Sequence, residues 1–157
     1  MKNSLIVFLL FLSTLTFAQT KGGYVKGDDY EGANFSGKYM ISKNKNILSY
    51  FTPTSDEIDS LEARIKDRLT ELKTTKTDRE FPTFIIDNLK DYKRQYFGYV
   101  NEKGERVIYF NFFHNSGNVY GWREGEVVIK DGGYYYWRMK WNLTTNKIID
   151  FYVNGEA

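Results

Sequence analysis

The spacing of apolar positions changes along this chain and divides it into zones. Residues 5–12 (LIVFLLFL) form an uninterrupted apolar run, whereas residues 19–46 are rich in Gly, Lys, Asp and Asn and keep no period. Ile58, Leu61, Ile65, Leu69 and Leu72 then recur every three or four positions, which is the period of one helix face. From Tyr92 onward the period falls to two. Residues 92–100, 105–113, 125–130, 133–142 and 147–153 alternate, or run in β-branched and aromatic side chains, as strands do.

The boundaries of these zones carry their own chemistry. Thr54 follows Pro53 and precedes Glu57 by three residues, a capping box that predicts a helix start; the stripe predicts that the helix runs to about Lys73. Glu62 and Lys66 form an i,i+4 pair that this reading places on the wet side of the helix. A short second helix is expected after Pro82. Residues 101–104 (NEKG), 131–133 (DGG) and 144–147 (TTNK) are turn sequences, each expected to join antiparallel neighbours. Residues 114–124 are longer than a hairpin needs and read as a functional loop. Residues 19–46 read as an irregular N-terminal arm with one short strand near residues 38–42.

The apolar run near the start predicts export. Lys2 precedes it, and Thr16 and Ala18 sit at the positions that signal peptidase requires before Gln19. Ser13, Thr14 and Thr16 interrupt the run short of the roughly 20 apolar residues of a membrane span. Residues 1–18 are therefore expected to be a cleaved signal peptide. The mature protein is then expected in the periplasm or outside the cell, with no stable membrane insertion. The chain has no cysteine, which removes lipid attachment through one and leaves packing as the source of stability. Residues 47–157 are expected to form a single domain.

A helix followed by a meander packs most simply with the helix stripe on one face of the sheet. The expected fold is thus α+β, one long amphipathic helix on a curved antiparallel meander of four to five strands. That order resembles the cystatin-like and nuclear-transport-factor-like architectures. The phrases at residues 92–99 (YKRQYFGY), 131–133 (DGG) and 151–155 (FYVNG) resemble an uncharacterised group of secreted Bacteroidetes-type bacterial proteins. The resemblance covers about residues 50–157 and implies a cystatin-like fold and an exported setting, but no activity.

Candidate chemistry is sparse. The 101–104 hairpin lacks the Gln-x-Val-x-Gly motif of cystatin-type protease inhibitors. His114 is the single histidine, and no serine sits in a nucleophile elbow. Metal-ligand spacing and phosphate-cradling glycine loops are missing from the sequence, so no cofactor is expected. The formal charge of +2, with acids and bases interspersed, excludes the clustered basic face of a nucleic-acid binder. Asp150 is the residue a pocket enzyme of the nuclear-transport-factor-like kind would use; its simpler role is pairing with Lys140 or Arg138 across the sheet.

Composition adds one positive sign, since aromatics reach 18%, with 13 Tyr and 12 Phe. By alternation, Tyr135, Trp137, Met139 and Trp141 are expected to face the core, leaving Tyr134, Tyr136, Arg138 and Lys140 on the other side. Tyr92, Arg94 and Tyr96 share that pattern, and Trp122 in the long loop extends it. Tyr and Arg dominate recognition surfaces, so these residues predict a non-catalytic binding module for a protein or glycan partner. A small-molecule-binding or enzymatic domain is the alternative, and an inhibitor or immunity protein the third reading.

Overall fold

The computed structural model describes residues 23–41 and 46–155. The expected signal peptide lies outside these residues. The helix α1 (Ser55–Lys73) starts where the capping box placed it: Thr54 Oγ1 accepts from the Glu57 amide at 3.2 Å, and Glu57 Oε2 accepts from the Thr54 amide at 3.0 Å. Ile58, Leu61, Ile65 and Leu69 are buried, as their spacing requires. A short helix α2 (Thr83–Asp87) follows Pro82. Among the described residues no helix is long and apolar enough to cross a membrane.

The remaining elements are strands: β1 (Gly23–Lys26), β2 (Glu31–Ser36), β3 (Ile47–Phe51), β4 (Tyr92–Asn101), β5 (Arg106–His114), β6 (Tyr136–Asn142) and β7 (Lys147–Val153). Among the described residues they form one seven-stranded sheet in the order β1-β2-β4-β5-β6-β7, with β3 also on β4. The β2–β4 pair is parallel and the others are antiparallel. The expected α+β, cystatin-like packing of one helix on a four- to five-strand antiparallel meander is therefore corrected to a sheet-rich fold around a mixed sheet.

Besides residues 47–51, which form β3 where no strand was expected, two misread segments account for the correction. Residues 23–36 form β1 and β2 rather than an irregular arm, and residues 37–39 form a 3-10 turn where a strand was expected. Their glycines obscured the strand pattern, yet the sheet uses them. Strands β2 and β3 share one edge of β4, meeting at Gly98, where an added Cβ would come within 2.7 Å of the Phe51 carbonyl and 2.6 Å of its ring.

The second misread segment is residues 125–130, which lie outside any strand. Side chains take up the backbone of this region instead of a neighbouring strand. Gln95 Nε2 donates to the Trp122 and Gly125 carbonyls at 2.6 and 2.7 Å, and Gln95 Oε1 accepts from the Val127 amide at 2.8 Å. Asn111 Nδ2 reaches the Val127 carbonyl at 2.8 Å, and Asn154 Nδ2 the Ile129 carbonyl at 2.7 Å. With those groups satisfied, the whole stretch from residue 115 to 132 lies across the sheet as a loop.

Over its central strands the sheet is thus covered on both sides. One face packs Tyr96, Phe110, Phe112, Trp137 and Met139 against α1 and α2, with Phe112 stacked on Trp137. The other carries Phe35, Phe97, Tyr109 and Phe113 under Met40 and Trp122.

Candidate functional site

Residues expected to share one open aromatic face are divided between the two sides. Tyr92, Arg94 and Tyr96 point toward α1 and are buried. Their alternation was correct, but β4 is buried on both faces, so pattern alone did not say which side met the helix. Tyr134 and Tyr135 belong to a 3-10 turn (Gly133–Tyr135), which breaks the alternation before β6 begins. Tyr134 packs on Phe84 at the helix side, and Tyr135 is exposed rather than in the core.

Tyr136 and Arg138 keep to the opposite face. Tyr136 leans on the second cluster, and the Arg138 guanidinium stacks 4.3 Å from the Tyr152 ring. Trp122 is 9% exposed and serves as a lid residue over Phe113. Asp150 pairs with Lys140 at 2.8 Å beside a shallow hollow of about 270 Å3 and lies away from the helix–sheet interface.

The three buried β4 residues lead to a different site. Arg94 and Tyr96, two apart on β4, both face Glu62 on α1. Arg94 Nε stands 3.1 Å from Glu62 Oε1, and the Tyr96 hydroxyl donates to the same oxygen at 2.8 Å. Arg94 Nη1 donates to the Tyr92 carbonyl at 2.6 Å, and Nη2 to that of Leu89 at 3.1 Å. Glycine at position 32 makes the arrangement feasible, because a Cβ there would stand 2.5 Å from the Tyr96 ring. The β1–β2 turn carries Tyr30 over α1, where its hydroxyl donates to the Asp59 carboxylate one helical turn before Glu62.

Above this buried pair opens a cleft of about 650 Å3 between the β1–β2 turn, α1 and the end of α2, with Arg94 and Glu62 among its lining residues. Its rim is mixed in charge: Lys26, Lys66 and Lys90 alternate with Asp28, Asp29, Asp59 and Asp87. A hollow of about 740 Å3 near residues 76–82 and 151–155 has greater volume but no buried charged side chain, so the chemistry favours the first cleft.

The Glu62 side chain is 5% exposed and that of Arg94 is 1% exposed. Burial pushes the Glu62 carboxyl above the usual carboxylate range, against the opposing pull of Arg94 and Tyr96. Burial, reinforced by Glu62, also raises the Tyr96 hydroxyl, which stays a neutral donor. The Tyr96 hydrogen bond and the Arg94 ion-pair contact both converge on Oε1, and among the described residues no hydrogen bond is recorded on Oε2 or on Arg94 Nε. The carboxyl is thereby fixed in orientation, with an acceptor left for the cleft.

Sequence reasoning missed Glu62, Tyr30 and Asp59. Glu62 lies next to Leu61 on the helix and was assigned to solvent with Lys66, although Arg94 in an aromatic strand signals a need for a buried acid. Tyr30 and Asp59 carried no such signal. No family model, curated protein or solved structure matches the chain.

Proposed function

We propose that the protein is an exported binding module that holds a small polar ligand in the cleft between α1 and the β1–β2 turn. The supporting observation is the Glu62–Arg94–Tyr96 cluster, a desolvated charge pair at the base of a cavity of ligand size. Coverage of both central sheet faces removes the basis for docking through an open aromatic face. Export is supported by the apolar run and the small residues before Gln19.

Ala63 supplies the test. It is exposed on α1 and lines the cleft, so Ala63→Arg places a long side chain in the cavity without touching the ion pair. A fragment library screened by amide chemical shifts should give ligands that perturb residues 59–66 and 86–94 in the wild type and not in Ala63→Arg. Ligands unaffected by that substitution would overturn the cleft as the binding site.

A further inference from the structure

Glu62 Oε2 accepts from no group among the described residues and, unlike Arg94 Nε, is not sealed from solvent, so a donor that enters the cleft can reach it. Several kinds of ligand would bring one, and the surroundings discriminate among them. Among the described residues, no group of three His, Cys, Asp or Glu side chains converges to hold a metal ion. An ammonium would be a second cation beside Arg94, on a carboxyl whose single charge Arg94 already balances. An anion would meet the rim aspartates, while Arg94 Nη1 and Nη2 donate to carbonyls and its Nε, which forms no hydrogen bond, is sealed from solvent beside Glu62.

A hydroxyl fits where the ionic groups do not. It donates to a carboxylate and accepts from a lysine, so a molecule bearing several hydroxyls satisfies both signs of the mixed rim. On the reading that the cleft is the binding site, we infer that its ligand is a neutral, hydroxyl-rich molecule, a saccharide unit, one hydroxyl of which donates to Glu62 Oε2. The cavity of about 650 Å3 accommodates such a unit. Tyr96 and Arg94 act as positioning residues, holding Oε1 so that Oε2 faces the sugar.

The experiment is a titration of the isotopically labelled protein, followed by amide shifts. The probes are glucose, galactose, mannose and N-acetylglucosamine as neutral sugars, protonated glucosamine as the amine, and glucuronate as the anion. At least one neutral sugar should shift residues 26–30, 59–66 and 86–94 saturably, with glucosamine and glucuronate binding more weakly. Glu62→Gln, which can turn an amide N–H2 toward the sugar, should weaken binding roughly tenfold, and Ala63→Arg should abolish it.

Tighter binding of glucosamine or glucuronate at the same amides would overturn the neutral class and leave the cleft standing. So would a cleft filled only by non-sugar fragments. Should neither sugars nor fragments move these amides, the cleft reading itself falls. If Glu62→Gln does not fold, the comparison of neutral with charged sugars on the wild type still decides.

Discussion

Glu62 and Arg94 meet at 3.1 Å between α1 and β4, and Tyr96 donates to the same Glu62 oxygen. The partners differ in what they can do alone. A buried carboxyl neutralises by taking up a proton, whereas a guanidinium cannot give one up. At neutral pH, Glu62→Leu should therefore cost about 3–5 kcal/mol, and Arg94→Met should cost less. The double variant should recover most of the loss. Urea denaturation of the four proteins measures this, and equal losses in the two single variants would contradict it.

The same pair sets a pH dependence. Burial holds the folded-state Glu62 carboxyl above its ordinary 4.5, so its contribution is full below that value and declines as pH rises through the raised one. The stability advantage of the wild type over Glu62→Gln should shrink with rising pH; an advantage that grows would mean a lowered carboxyl.

Glu57 runs the opposite way. Burial pushes it up, but Arg106 at 2.5 Å and the Thr54 amide outweigh that and hold it below the ordinary 4.5. Its contribution is present above 4.5 and is lost as pH falls through the lowered value. Glu57→Gln should therefore lie closer to the wild type in acid than at neutral pH in thermal melts.

Gln95 holds the loop at residues 115–132 through three hydrogen bonds. Gln95→Leu should leave the Val127 amide and two carbonyls short of partners, at about 1–3 kcal/mol. Hydrogen exchange should quicken at residues 122–127 and stay unchanged in α1. Uniform acceleration would show that Gln95 supports the whole fold rather than the loop.

Export predicts a mass. Protein recovered from the periplasm or medium of a Gram-negative host should begin at Gln19, as intact-mass spectrometry would read. A cytoplasmic product that retains Met1 would reject the leader.

Local chemistry was legible wherever neighbours in sequence decide it. The start of α1 at Thr54, its buried stripe, β4, β5, β7 and the turns at Gly104 and Asn146 could all be read from the residues in place, because capping, helical periodicity and left-handed turn positions are settled within a few residues. Residues 125–130 show the limit. Their pattern suits a strand, but Gln95, Asn111 and Asn154, far away in sequence, supply the hydrogen bonds that a strand partner would have supplied.

The sequence by itself determined the helix, most of the strands after Tyr92 and the pairing of alternate residues on common faces. Only the tertiary structure decided that Glycine-rich residues 23–36 join the sheet, since a strand without strong β-formers is stabilised by the neighbours it finds. It also decided which face of β4 meets α1. With both faces buried, alternation groups Tyr92, Arg94 and Tyr96 but carries no sign, and the sign came from Glu62, whose burial is stabilised only once Arg94 and Tyr96 stand opposite.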